Sequence, residues 1–421
     1  MNDSPLTFLA EAVTPWHAVE ALARSLSDAG FSEVHESGQW RLEPGKGYFF
    51  RRGGSVLAAL VVGSQPEAGW NIAAAHTDSP GWRLKLATQK PQASGVVRIG
   101  TEVYGLPIYS TWFDRPLAIA GQVVLKAPQG PRPLLVKTPA LGVIPNLAVH
   151  YNREVNKVQA YDLSENVCLL AALGGQPNVE AFLSHQYGFN PADWMAADLY
   201  AVDAQAPDVL GPDGLFLAPR IDNLTGCLAV VEGLLATSAP SQRTKLVVCF
   251  DQEEVGSSTW TGADSSFLGD LMARVHHLVG GSLEEFSRAK ASSFVLSVDS
   301  AHGVHPNWGG HHDEGYAPLL GKGPVLKSSA RFSYATTANS EARVRTLAEL
   351  AGVPLQAFRM KSTLTPGSTI GPITTSWTGI PGADVGIPIW AMHSIRETGD
   401  LRDQHAMVRL VAALLGDTRT W

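Results

Sequence analysis

Leu246-Val247-Val248-Cys249-Phe250-Asp251-Gln252-Glu253-Glu254-Val255-Gly256-Ser257-Ser258 decides how the rest of the chain is read. The first five residues form an apolar, β-branched run of the kind that fills a buried strand. Three acidic residues follow within four positions, then a glycine and small polar residues that signal a turn. Open α/β sheets bind their ligands at the carboxyl ends of strands. Two adjacent carboxylates delivered there can divide the work, one holding a metal and the other a proton, because different surroundings separate their pKa values. Taken alone, Glu253-Glu254 also fits a solvated acidic loop. The rest of the chain decides between the two.

The same pattern recurs. Trp70-Asn71-Ile72-Ala73-Ala74-Ala75 runs into His76 and Asp78, and Pro80-Gly81 closes it. Phe294-Val295-Leu296-Ser297-Val298 runs into Asp299, and Ile387-Pro388-Ile389-Trp390-Ala391-Met392 runs into His393. Arg220-Ile221-Asp222-Asn223 opens a helical pattern over 224–235, where Asp222 or Asn223 suits an N-cap. Alone, each of these residues has an ordinary structural reading. Together they supply two histidines and three carboxylates (His76, Asp222, Glu254, Asp299 and His393), a donor set that suits zinc, or Co²⁺ or Mn²⁺. Five side chains exceed one tetrahedral site. A shared carboxylate between two ions about 3.5–4 Å apart uses them economically, and three carboxylates nearly neutralise two divalent ions.

Composition narrows the function classes. The chain has 421 residues, 45% hydrophobic and 17% charged, which suits a well-packed protein of two domains. Net charge is −7 with no long basic run, so neither nucleic acid nor an anionic membrane is an expected partner. Cys168, Cys227 and Cys249 lack paired spacing and read as buried free thiols in a reducing compartment. No signal peptide is apparent in the polar stretch Met1 to Ala10, and no uncharged apolar run reaches 18 residues. The expected location is the cytoplasm. Between about Pro91 and Ala206, short strand-like pieces split by Gly and Pro suggest a β-rich domain inserted into the first. The expected boundaries are therefore 1–90 with 207–421, and 91–206.

Five motifs in order carry a resemblance: Ala75-His76-Thr77-Asp78-Ser79-Pro80, Arg220-Ile221-Asp222-Asn223-Leu224, Glu253-Glu254-Val255-Gly256-Ser257, His302-Gly303-Val304-His305-Pro306-Asn307 and Ala391-Met392-His393-Ser394-Ile395-Arg396-Glu397. Thr14 to Val19, Ser110 to Arg115 and Gly367 to Pro372 extend it over nearly the whole chain. This set resembles the aspartyl aminopeptidase family of zinc metallopeptidases. The resemblance implies an α/β fold, with a mixed, mostly parallel central sheet flanked by helices, like other di-zinc aminopeptidases, and an inserted β-rich oligomerisation domain. It implies two Zn²⁺ per subunit. His76, Asp222 and Asp299 would hold one ion. Asp222, Glu254 and His393 would hold the other, with Asp222 bridging. Glu253 would be the general base, and Asp78 would orient His76. It also implies peptide substrates with acidic amino-terminal residues and a homododecamer in which His150 reaches a neighbour's active site. Lys327 lies in a family motif near the substrate pocket, where an ammonium can pair with an acidic side chain; an exposed lysine is the other reading. His305 is a candidate for binding the oxyanion or the substrate carboxylate. One departure stands out: the family's Arg-Asn-Asp before Gly367 is replaced by Lys361-Ser362-Thr363-Leu364-Thr365-Pro366. An acidic residue is missing there, and Asp313 or Glu314 is the available substitute. A related di-metal carboxypeptidase or deacylase and a non-catalytic scaffold are the competing readings. An intact ligand set together with Glu253 weighs against a scaffold.

Overall fold

A computed structural model of the protein describes residues 5–158 and 160–419. Met1 to Ser4, the start of the polar amino-terminal stretch, lie outside the described residues. The chain divides into two compact units. The first comprises the residues up to Asp78, Pro207–Met392 and the residues from Glu397 onward. The second comprises Ser79–Ala206 and the short return His393–Arg396.

The first unit is built on a nine-stranded sheet. At its centre, Thr244–Phe250, Trp70–His76, Phe294–Val298 and Gly382–Gly386 run parallel side by side. The hairpin Gly47–Arg52 and Val56–Val61 turns through Gly53-Gly54, both at positive φ, and pairs antiparallel with Thr244–Phe250. On the other flank, Val325–Lys327 lies antiparallel to Gly382–Gly386 and parallel to Gln356–Phe358.

The apolar strands feed two cores, because successive side chains leave a strand on opposite faces. Val247 and Cys249 join the core beneath the helices Pro15–Asp28, Ile221–Ala236, Ala338–Leu350 and Leu401–Leu415. Leu246, Val248 and Phe250 join the opposite core, covered by Phe267–Leu278 and Ile370–Thr378. Burial on both faces is what the continuous apolar runs demand. The sheet is mixed and mostly parallel, as the sequence implies.

Two local readings change. Of the two N-cap candidates, Asn223 and not Asp222 directly precedes the regular helix: backbone angles are non-helical at both Asp222 and Asn223, so the helix proper begins at Leu224. The Asp222 carboxylate stands at the helix mouth, facing His76. The run Ile387 to Met392 is not a central strand. Only Pro388–Ile389 pairs, with Ala301–His302, and Trp390 bridges to Thr398. Pro388 lacks the N–H a central strand needs. The strand that joins the main sheet is the preceding Gly382–Gly386.

The second unit is a closed antiparallel barrel. Gly81–Pro91, Val97–Tyr104, Leu169–Ala171, Gly142–Val143, Leu117–Leu125 and Trp194–Asp203 follow one another around it, and the last strand pairs back with the first. Arg132–Lys137 extends it beside Leu117–Leu125. Closure removes exposed sheet edges. Trp82, Ile99, Ile119 and Leu169 fill the interior, with Leu183 of the helix Val179–Tyr187 and Ile395 of the return segment.

All three cysteines are buried and free. Among the described residues, no helix is long and apolar enough to cross a membrane.

Candidate metal centre

Three parallel strands of the first unit end in the chemistry read from the sequence. Trp70–His76 ends at His76, Thr244–Phe250 leads into Asp251 and the short turn Glu253–Val255, and Phe294–Val298 leads into Asp299. Neighbouring parallel strands lie only ~5 Å apart, so residues far apart in the chain meet at one edge. Asp222 joins them from the mouth of the helix Ile221–Ala236, where its backbone N–H donates to Glu397 Oε2 at 2.9 Å. The Asn223 amide donates to the Val298 carbonyl at 2.7 Å and ties the same turn to the third strand.

His76 is the hub. Its Nε2 lies 3.6 Å from Asp222 Oδ1 and 3.6 Å from Asp299 Oδ1. The donor atoms of His76, Asp222 and Asp299 all lie within 4.8 Å of one another, as do those of His76, Glu253 and Glu254. The other imidazole nitrogen, Nδ1, faces Asp78, at 3.3 Å from Oδ1 and 3.1 Å from the carbonyl. Asp78 does more than orient the ring. Its two carboxylate oxygens accept the backbone N–H groups of Glu253 and Glu254, each at 3.1 Å. Gln252 at φ +63° and Gly256 at φ +98° bound this turn, so both glutamates leave it on a backbone held at each end.

The electrostatics of these side chains suit a bound cation. Burial, then the charge of Asp299, pushes the Asp222 carboxyl well up. Burial, then the charge of Asp222, does the same to Glu254. Burial raises Glu253 to about 7, with Asp299 and Asp78 adding to it against the pull of His76. Burial opposes charge on His76, yet hydrogen bonding to Asp299 and Asp78 lifts it well above an ordinary histidine. Asp299 is held low despite its burial, because the Lys327 ammonium lies 3.4 Å from Oδ2. Five carboxylates (Asp78, Asp222, Glu253, Glu254 and Asp299) gathered with one imidazole and one lysine repel one another, and divalent ions would offset that repulsion. The imidazole and carboxylate donors match zinc.

The remaining candidates fall into two groups. Lys327 is 2% exposed, which removes the exposed-lysine reading, and its Nζ donates to the carbonyls of Asp299 and Ser300 at 2.8 and 3.1 Å. The His305 Nδ1 accepts the Asn307 N–H at 3.2 Å, and the ring packs on Trp308 and Trp390. Asp313 and Glu314 are exposed. Lys361, in the divergent segment, donates to the Gly310 carbonyl at 2.7 Å. In the second unit, His150 is exposed. His393 opens the return segment; its Nδ1 lies 3.0 Å from the Leu106 carbonyl and its own carbonyl accepts the Ile108 N–H at 2.9 Å.

Asp251 is the residue sequence reasoning passed over. It is buried two residues before Glu253, and burial with the nearby charge of Asp78 pushes it up to about 7. Its place as the first of three acids after a buried strand was the available signal.

Comparison with known proteins fits this geometry. The family model Aminopeptidase I zinc metalloprotease (M18) matches residues 8–414. The chain belongs to this M18 family of zinc aminopeptidases. The resemblance read from the motifs therefore holds at the level of the family, and the chain is a metallopeptidase hydrolase. The Probable M18 family aminopeptidase 2 of Borreliella burgdorferi is 36% identical over 410 residues, covering 97% of this chain and 96% of that one. A structure of Ape4 in complex with Nbr1 superposes with a TM-score of 0.93 at 31% identity, over 98% of this chain and 84% of that one. The Saccharomyces cerevisiae mApe1 dodecamer shares the fold, with a TM-score of 0.85 at 24% identity over 97% and 94% of the two chains.

Proposed function

We propose that this M18 zinc aminopeptidase removes acidic residues, Asp or Glu, from peptide amino termini with two zinc ions per subunit. His76, Asp222 and Asp299 hold one ion. Asp222, Glu254 and His393 hold the other, so that Asp222 is shared. The observation that carries this reading is the meeting of His76 Nε2 with two buried carboxylates beside Glu253 and Glu254. For His393 the support is its family motif and its place directly after Met392. Co²⁺ or Mn²⁺ can occupy such donors as well.

Zinc supplies Lewis acidity, which lowers the pKa of a water and polarises the scissile carbonyl. The chain's own residues do the rest. Glu253 takes the proton of the attacking water and passes it to the leaving amine, as a carboxylate beside the donor cluster can. Asp78 holds His76 and the Glu253 backbone in one orientation. The acidic surroundings of Asp222 and Glu254 favour a free, protonated α-amino group, which restricts cleavage to the amino terminus.

The acidic preference rests on the motif resemblance and on the basic groups His302, His305, His311 and Lys361 that follow or flank the strand ends. In this reading His305 and a neighbouring subunit's His150 bind substrate, while Lys327, expected among these groups from its motif, is 2% exposed and bound to Asp299 and Ser300 instead. Self-association through the barrel unit, into a dodecamer like that of mApe1, is supported by Leu147, Val149, Tyr151 and Val158, all exposed in one stretch of that unit. A cytoplasmic setting is supported by the three free cysteines.

A panel of aminoacyl chromogenic substrates, with chelator and zinc add-back, tests the reading. Aspartyl and glutamyl substrates should be cleaved fastest, chelator should stop the reaction, and an N-acetylated peptide should be left intact. Cleavage of the N-acetylated peptide would instead favour a di-metal deacylase or carboxypeptidase.

A further inference from the structure

Behind the ligand Asp299 lie a buried lysine and a buried aspartate on adjacent strands, and the chemistry above uses neither. Lys327 and Asp384 are direct cross-strand partners in the central sheet, 2% and 0% exposed respectively. An aspartate in the middle of a central strand is costly to bury unless its charge and its lone pairs are answered. Asp384 has partners on several sides. Its Oδ1 accepts the Thr369 hydroxyl at 2.6 Å, and its Oδ2 accepts the Ala335 N–H at 2.6 Å. Its own N–H donates to Thr336 Oγ1 at 2.9 Å. Gly371 passes so close that a Cβ there would collide with the carboxylate. Through Ala335 and Thr336 the same residue fixes the segment carrying Tyr334, whose ring centroid lies 5.2 Å from Lys327 Nζ.

Lys327 is thus enclosed. Asp384 stands opposite it, the Tyr334 ring lies on one side, and its Nζ reaches the Asp299 and Ser300 carbonyls and the Asp299 carboxylate. The consequence falls on Asp299. Its Oδ2 faces the ammonium at 3.4 Å, while its Oδ1 faces His76 Nε2 at 3.6 Å. The two oxygens therefore face different groups, Oδ1 the imidazole of His76 and Oδ2 the ammonium of Lys327.

We propose that Asp384 is a positioning residue for the zinc ligand Asp299, acting through Lys327. Asp384 and the groups bonded to it hold the ammonium in place. The ammonium occupies Asp299 Oδ2 and presents Oδ1 to the metal. The inference rests on the assignment of Asp299 as a ligand, so its test must tell the two apart. Groups that orient metal ligands typically affect metal affinity about 10–100-fold.

The experiment measures zinc affinity by competition with a chromogenic chelator, alongside thermal unfolding and peptidase kinetics, in the full chain. The variants are Asp299→Asn, Asp384→Asn, Lys327→Met and the double variant Lys327→Met/Asp384→Asn. Asp299→Asn should weaken zinc binding; if it does not, the ligand assignment itself fails. Given that loss, Asp384→Asn should weaken zinc binding about tenfold. The double variant should bind zinc no more weakly than Lys327→Met alone, because Asp384 has no route to the metal without the lysine. An Asp384→Asn protein with wild-type zinc affinity overturns the inference, even where its melting temperature falls. So do losses from Asp384→Asn and Lys327→Met that simply multiply in the double variant. If Asp384→Asn does not fold, Thr369→Val, which removes one hydrogen bond from Asp384, replaces it. A several-fold loss of affinity is then expected, and wild-type affinity again overturns the inference.

Discussion

Asp78 Oδ1 accepts the backbone N–H of Glu253 at 3.1 Å, so one buried carboxylate sets both the imidazole of His76 and the turn that carries the proposed base. Two strand ends, from Trp70–His76 and Thr244–Phe250, are locked together by a side chain that binds no substrate in the proposed scheme. Asp78→Ala should therefore weaken zinc binding about 10–100-fold and lower kcat as well, because the Glu253-Glu254 turn loses both acceptors. Chelator competition and steady-state kinetics on the purified variant check this. Wild-type values for both would remove Asp78 from the account.

Glu253→Gln tests the base. The substitution keeps size and hydrogen-bonding capacity and removes the proton acceptor. Zinc content and melting temperature should stay near wild type while kcat falls by roughly two or more orders of magnitude. Retained turnover would assign the proton transfer to another group.

These two residues show what the sequence discloses and what it hides. Glu253-Glu254 is legible because a fully apolar strand stops abruptly at acid, and a buried strand has few other reasons to do so. His76 and Asp299 are legible for the same reason. The hydrogen bonds of Asp78 are not, since they join residues 175 apart in the chain that meet only because their strands are neighbours in the sheet. Gly382–Gly386 escaped because Gly-Ala-Asp-Val-Gly lacks the apolar run of a buried strand: Asp384 is tolerated there only by the partners that surround it. Ile387 to Met392 drew attention instead, as apolar residues are the stronger signal, although Pro388 limits its pairing. Asp222 resembles an N-cap because short acidic residues before a helix usually are. Non-helical backbone angles at both Asp222 and Asn223, which spacing alone does not reveal, start the regular helix at Leu224. In the second unit, Val97–Tyr104, Leu117–Leu125 and Arg132–Lys137 correspond to strand-like pieces in the sequence, but barrel closure by Gly81–Pro91 and Trp194–Asp203 is a long-range pairing without a local signature.

His393→Ala probes the second ion. In the proposed scheme it removes one donor from the Asp222–Glu254–His393 set and leaves His76, Asp222 and Asp299 untouched. Metal analysis should find about one zinc per chain where the wild type holds two. An unchanged zinc count would place the second ion elsewhere.

Asp403, which takes no part in the proposed scheme, gives a pH dependence of stability. Burial pushes its carboxyl up to about 7, against the hydrogen bonds it accepts from the Gly321 and Gly323 N–H groups at 2.6 Å. A carboxyl whose folded pKa lies above its unfolded value binds its proton more tightly in the native state. Its contribution to stability is therefore full below about 4 and is lost as pH rises through about 7. The stability advantage of wild type over Asp403→Asn, read from urea midpoints, should shrink between pH 5 and pH 8. A difference that grows with pH would give Asp403 the opposite sign.

The central claim is that two cations, held by these five side chains, make the site active. Titrating zinc into metal-free protein while following aspartyl-substrate hydrolysis tests it most directly. The account predicts that activity, absent at the start, rises to a plateau at two equivalents per chain. Full activity without added zinc, or a plateau already complete at one equivalent, would contradict it.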